Sequence, residues 1–195
     1  MYPHCKVQVS GGFVLLVVWF VLANGWEPLA TVMGAAAIHE LGHWVMLRLL
    51  GAKVTGFRLN VLGAVLETDS RRLSYGGELA AVLAGPAVNL LAALALNILG
   101  KGRCPADVGA NLVLCAFNLL PVYPLDGGRA LYLLMAWTVG PAAGERAVRW
   151  AGTVTVVALS ALIGWVIWGS GGSLWLLPAL FASVQWGVRL WWFPM

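Results

Sequence analysis

Charge is the scarcest property of this chain. Lys, Arg, Asp and Glu make up 10% of its 195 residues and 61% are hydrophobic, whereas a soluble domain carries about 25% charged residues. Mean hydropathy is +0.84. Such a chain is solvated mostly by lipid. At ~20 residues per span it has room for about six spans and for no sizeable soluble domain besides. Cysteine is sparse as well. Cys5, Cys104 and Cys115 are the three present, they form no C-x-x-C pair, and an odd, dispersed count points to free thiols rather than a disulfide frame. Concentrated positive charge is also missing. The formal net charge is +4, but the basic residues are scattered between apolar segments, where they read as flanks of membrane spans. A nucleic-acid partner is not expected.

What is present is a series of apolar segments, at about 12–24, 28–50, 77–99, 108–120, 131–139 with its flanks, 150–168 and 174–190. The first has the length of a signal-peptide core, but no convincing small-x-small cleavage site follows it, so it reads as a retained anchor. The fourth and fifth are parted by Pro121-Val122-Tyr123-Pro124-Leu125-Asp126-Gly127-Gly128. A break of this kind at membrane depth is tolerated only where protein or a water-filled cavity satisfies the freed backbone groups. Counting these two as one interrupted span gives six. The segment 54–67 is too short and glycine-punctuated to span. In it Phe57, Leu59 and Val61 alternate with Arg58 and Asn60, and Val65, Leu66 and Thr68 follow Gly63, which is the period of a strand pair.

The fold class expected is an all-α polytopic membrane protein. It has about six transmembrane helices and a small membrane-associated β-hairpin between the second and third. It forms one domain over 1–195, with a core at 28–139 and peripheral spans at 11–25 and 150–190. With the N-terminus in the cytoplasm, ten of the twelve basic residues fall inside and only Lys101 and Arg103 outside, so both termini are expected there. The aromatic residues Trp150, Trp165, Trp168, Trp175, Trp186, Trp191 and Trp192 cluster toward span ends as an interfacial belt.

Chemistry concentrates at His39-Glu40-Leu41-Gly42-His43, an H-E-x-x-H inside the second apolar segment. On a helix, His39 and His43 stack on one face and can hold one Zn²⁺, while Glu40 can reach a water there as general base. Ionisable groups at membrane depth are costly and functional by default. Catalytic zinc wants a third protein ligand. Most acidic residues sit at span ends or in loops; Asp126 lies inside the broken span, flanked by Leu125 and two glycines that would let the backbone bend its carboxylate toward the histidines. The alternative is a carboxylate paired with Arg129. Asn118 could hydrogen-bond a substrate backbone or an oxyanion, or equally bridge two helices. Gly85, Pro86 and Asn89 read as structural: Gly85 belongs to a stripe of small residues that lets helices approach closely, and Asn89 bridges across.

These residues resemble a known family. His39-Glu40-Leu41-Gly42-His43, the A-G-P-x-x-N run from Ala84 to Asn89, and the N-x-x-P-x-x-P-L-D-G-G run from Asn118 to Gly128 occur in the order found in site-2 proteases, the intramembrane zinc metalloproteases of peptidase family M50. The wording of the last run is most similar to the sporulation branch, which would carry a nucleotide-sensing domain after the last span; no such sequence lies within these residues. The resemblance covers about residues 30 to 135. It implies His39, His43 and Asp126 as ligands of one Zn²⁺ per chain, Glu40 as catalytic base and Asn118 as a substrate-positioning residue. It also implies a β-element that pairs with an extended substrate, here Phe57, Leu59 and Val61, in accord with strand addition.

The reading is an intramembrane zinc endopeptidase of a bacterial cytoplasmic membrane, multi-pass in the lipid bilayer. Its substrates would be membrane-embedded or membrane-associated proteins, a sporulation transcription-factor precursor among the candidates, with a membrane-protein regulator a further possible partner. A transporter or non-catalytic zinc-binding protein on the same scaffold would carry ionisable residues on several spans. A zincin facing the cytoplasm would supply a downstream Glu as third ligand, and Glu67 and Glu78 stand in unsuitable contexts.

Overall fold

The structure is a computed structural model that describes residues 6–60, 63–69 and 73–169. Val61, the apolar segment 174–190 and Trp175, Trp186, Trp191 and Trp192 lie outside the described residues. The elements run β1 (Lys6–Val9), α1 (Gly11–Asn24), α2 (Trp26–Leu49), β2 (Lys53–Asn60), β3 (Gly63–Asp69), α3 (Tyr75–Leu99), α4 (Pro105–Asn118), α5 (Asp126–Thr138) and α6 (Pro141–Gly169). The chain divides into two compact units, Met1–Phe117 and Asn118–Met195.

In the first unit, the helices begin where the sequence can satisfy their orphan N–H groups. The Ser10 hydroxyl accepts from the Phe13 N–H at the start of α1, and the Ser74 hydroxyl from the Gly77 N–H at the start of α3, both at 3.2 Å. Gly25, at φ 86, makes the corner between α1 and α2. α2 buries Ala35, His39, Gly42 and Leu47, positions that recur along one face of a helix. α3 buries Ala81, Val82, Ala84, Gly85, Pro86, Asn89 and Ala93. Most of these are small, so the two backbones approach closely: a Cβ added at Gly42 would stand 2.7 Å from the Ala84 carbonyl oxygen and 3.0 Å from Val88 Cγ2. Below this contact Leu47, Ala52 and Ala81 pack with Met46 and Leu73.

The strands form one sheet in the order β1-β2-β3. β2 and β3 pair antiparallel, Phe57 with Leu66 and Leu59 with Ala64, with an irregularity between Val54 and Gly56. The third strand was not foreseen. β1 pairs parallel to β2, Lys6 with Gly56 through to Val9 with Leu59, so β2 is central between residues 56 and 59 and not the free arm of a hairpin. Because β1 and β2 share a sheet, the chain at Lys6 and at Lys53 lies on the same side of the α1–α2 pair.

In the second unit, the interruption read from the sequence is the segment between the end of α4 at Asn118 and the start of α5 at Asp126. Val122 and Val156 form a small core there with Leu120 and Leu125, and Gly144 of α6 packs against Tyr132 of α5. The two glycines after Asp126 have a different reason from the one expected. Neither has a positive φ; instead a Cβ on Gly127 would overlap the Leu119 and Leu120 carbonyls, and one on Gly128 would lie 2.6 Å from the Tyr123 nitrogen. They are small because the loop folds down onto the first turn of α5.

Among the described residues, α3 and α6 are the helices long and apolar enough to cross a membrane. α1 is apolar but has 14 residues, about 21 Å at ~1.5 Å per residue, short of a hydrocarbon core of ~30 Å. It buries none of them, and Leu15, Trp19 and Leu22 are each more than half exposed, as are Val154, Val157, Trp165 and Trp168 on α6.

The two glycines of α2 give a direct test of the packing. Nothing lies within 4 Å of a Cβ at Gly34, so Gly34→Ala is expected to raise stability by up to about 1 kcal/mol through helix propensity. Gly42→Ala should lower it by about 1–3 kcal/mol through overpacking against Ala84. Thermal unfolding of the two variants in detergent compares them.

Candidate metal centre

The H-E-x-x-H run lies within α2, away from either end, so its residues take regular helical positions. His39 is buried and 5% exposed, and His43 and Glu40 are half-buried. The two imidazoles meet edge to face, centroids 4.7 Å apart, with their Nε2 atoms separated by 3.1 Å. α3 closes over them. A Cβ on Gly85 would run into His43 Nε2 and lie 2.9 Å from His39 Cε1, so only glycine fits beside the pair. Pro86, the next residue, brings no N–H to the carbonyl four residues back and is fully buried.

The protonation of both rings follows from their outer partners. His43 Nδ1 lies 2.8 Å from the Ala81 carbonyl oxygen, which can only accept, so Nδ1 of His43 carries the proton. His39 Nδ1 lies 2.6 Å from Asn89 Oδ1. The amide of Asn89 is oriented by its other end, whose Nδ2 donates to the Ala35 carbonyl at 3.0 Å and to Asn111 Oδ1 at 2.8 Å. Oδ1 therefore faces His39 as acceptor, and His39 Nδ1 is protonated too. In neutral rings both Nε2 atoms then offer lone pairs on the same side, as two ligands of one metal ion would. This donor pair suits a metal, with each ligand held by a hydrogen bond on its far nitrogen.

The remaining expected residues are placed as follows. Asp126 is the first residue of α5, 8% exposed, where a carboxylate is favoured by the helix N-terminus; Arg129 is exposed. Asn118 is the last residue of α4 and half-buried. Gly85 and Asn89 do more than pack helices, since both touch the histidines. Phe57 and Leu59 lie in β2, whose backbone here is flanked by β1 and β3, and Val61 is outside the described residues. Asn111 was missed by sequence reasoning. It belongs to no motif, and its signal was only that of an amide within an apolar helix.

A helical, largely apolar scaffold here holds an H-E-x-x-H pair with both Nδ1 atoms tied back, an arrangement suited to a metal ion. Comparison with known proteins agrees. No family model matches the chain. The Mycobacterium tuberculosis protein Rip3, whose name includes the words zinc metalloprotease, is 33% identical over 183 residues, covering 85% of this chain and 45% of that protein. The zinc metalloprotease MJ0392 of Methanocaldococcus jannaschii is 28% identical over 141 residues, or 66% of this chain and 41% of that one. Stage IV sporulation protein FB of Bacillus subtilis is 25% identical over 138 residues, or 67% and 48%. The chain thus spans less than half the length of these curated relatives. Among solved structures, the site-2 protease from Methanocaldococcus jannaschii superposes with a TM-score of 0.65 at 22% identity, over 96% of this chain and 94% of that one. The chain is thus similar to proteins named zinc metalloproteases and shares the fold of that site-2 protease.

Gly85 provides the sharpest check on the histidine geometry. Gly85→Ala should displace both rings and weaken metal binding about tenfold or more, the scale for disturbing groups that orient ligands. Gly77→Ala, whose Cβ would make an ordinary 3.5 Å contact with Ser74 Oγ, should bind as the wild type does. Chelator competition on the purified variants reads both.

Proposed function

We propose that this protein is an intramembrane zinc metalloprotease that hydrolyses peptide bonds of membrane-embedded or membrane-associated proteins. The observation that carries the reading is the convergence of His39 Nε2 and His43 Nε2 at 3.1 Å, with both Nδ1 atoms held as donors by Asn89 and Ala81. His39, His43 and Asp126 are the group of described residues able to hold a metal ion, and two neutral imidazoles with a carboxylate are a donor set suited to zinc. The three would hold one Zn²⁺. The words zinc metalloprotease in the relatives' names support the choice of metal.

Bound zinc supplies Lewis-acid polarisation of the scissile carbonyl and an acidified water. Glu40, one residue beyond His39 and half-buried, takes a proton from the attacking water and returns it to the leaving amine nitrogen, so that the carboxylate is regenerated each turnover. Asn118 donates from its amide to the substrate carbonyl oxygen as negative charge develops there. The backbone of an unwound substrate needs hydrogen-bond partners, because an unpaired polar group in hydrocarbon costs several kcal/mol. Since both edges of β2 are taken over residues 56–59, the strand that receives substrate is the outer edge of β3 or of β1, and Phe57 and Leu59 act by holding that sheet together.

The membrane reading is a multi-pass one of about six spans, with both termini in the cytoplasm of a bacterial cell. Its support is the pair of apolar helices α3 and α6 and the exposed apolar side chains of α1. The β1–β2 pairing adds a parity argument: residues joined in one sheet share a side of the bilayer, so the chain between them crosses an even number of times.

Two outcomes are expected. Glu40→Gln should keep zinc and fold while abolishing cleavage of a co-expressed membrane substrate, whereas His39→Ala, His43→Ala and Asp126→Ala should each strip the metal. Wild-type cleavage by the Glu40 variant, or full zinc in the Asp126 variant, would remove that residue from the site. For topology, cysteines at Lys6 and Lys53 should be labelled from one side of the membrane and a cysteine at Glu27 from the other. Labelling of Lys6 and Lys53 from opposite sides would contradict the parity.

A further inference from the structure

We propose that Asn111, acting through Asn89, fixes which ring nitrogen of His39 is available to metal. The inference rests on the zinc-site reading of His39 and His43. Every hydrogen bond in the relay has a determined direction. The Asp107 carbonyl oxygen can only accept, so the Asn111 group that meets it at 2.9 Å is Nδ2. Asn111 Oδ1 is thereby turned toward Asn89 and accepts from its Nδ2 at 2.8 Å. The same Nδ2 also donates to the Ala35 carbonyl. The amide oxygen of Asn89 is left for His39 Nδ1, 2.6 Å away, and His39 must place its proton there.

The consequence lies in the near-symmetry of a side-chain amide. Its two ends have almost the same shape and opposite hydrogen-bonding sense. Turned over, Asn89 would fit equally well in volume but would present a donor to His39 Nδ1. That would draw the lone pair to Nδ1 and the proton to Nε2, the atom that faces His43. Two acceptors oppose the turn, the Ala35 carbonyl and Asn111 Oδ1. Water cannot replace them, because Asn89 is fully buried and Asn111 is 2% exposed. His43 differs in this respect. Its tautomer is set by the main-chain carbonyl of Ala81, which no substitution reverses. The two histidines of one motif are therefore governed differently: one directly by the backbone of α3, the other through the Asn89 side chain, which the Ala35 carbonyl and Asn111 Oδ1 together hold in place. Asn111 is a positioning residue, outside every motif of the family resemblance.

The test uses the full chain in detergent, with two readouts. The first is nitrogen NMR of ¹⁵N-histidine-labelled, metal-free protein, which reports the tautomer of His39. The second is Zn²⁺ affinity by chelator competition. Wild type should show His39 protonated at Nδ1. Asn111→Leu should introduce the Nε2-protonated form and weaken zinc about tenfold, the lower end of the range for losing an outer partner of a ligand. Asn111→Ala, which also removes the acceptor and should act in the same direction, serves if the leucine variant fails to fold. Adding Asn89→Asp should restore the Nδ1-protonated form and most of the affinity in an Asn111→Leu background, because a protonated carboxyl can donate its O–H to the Ala35 carbonyl while its other oxygen accepts from His39 Nδ1. A merely structural role for Asn111 would not be rescued by a second polar change. Wild-type tautomer and affinity in Asn111→Leu, or a double variant as weak as the single, would overturn the proposal. If the wild type itself bound no zinc, the zinc-site reading would fail instead, and the metal-free tautomer measurement would still decide the relay on its own.

Discussion

Gly85 leaves no space for a methyl group between α3 and the rings of His39 and His43, and that closeness determines much of what surrounds it. Two helices can come this near only if the residues between them are small, which is why Ala35 and Gly42 face Ala81, Ala84 and Gly85 across the contact. The same nearness brings the Ala81 carbonyl and the Asn89 amide within reach of the far nitrogens of the rings. One contact thus serves packing and chemistry together. A larger residue at Gly42 would press on the Ala84 carbonyl, and one at Gly85 on the rings themselves.

Much of this was legible in the sequence, and for identifiable reasons. The H-E-x-x-H helix could be placed because its spacing is that of a helix face and because charge inside an apolar run is rare enough to be noticed. The break between Asn118 and Asp126 was announced by two prolines and two glycines. The small residues from Ala84 to Ala93 gave away a close helix contact beside the histidine-bearing helix. What stayed hidden depends on long-range pairing. β1 is four residues long, and the alternation of Lys6-Val7-Gln8-Val9 is too short to say which strand it joins, so its place beside β2 follows only from the fold. Asn111 was invisible for a related reason, since its meaning comes from the direction of hydrogen bonds it shares with Asn89, 22 residues away in sequence. Gly127 and Gly128 were read as hinges because glycine usually signals backbone freedom. Here they are places where another strand of backbone lies.

The polar groups are economical in number and high in connectivity. Asn89 makes bonds to His39, Ala35 and Asn111 with a single side chain, in a place where each unsatisfied group would be costly. A fully satisfied network in apolar surroundings is rigid, and rigidity is what two metal-facing nitrogens 3.1 Å apart require.

The parallel pairing of β1 with β2 bears on how the molecule is made. Lys6 leaves the ribosome about fifty residues ahead of Gly56, its register partner, and a parallel pair cannot close as a local turn does. At ~5–20 residues per second of synthesis, the first strand waits several seconds while α1 and α2 are laid down between them. The N-terminal segment is thus a late clasp: it locks onto the sheet only after the helix bearing the histidines has emerged in full, which ties completion of the sheet to prior placement of the helix that matters for chemistry.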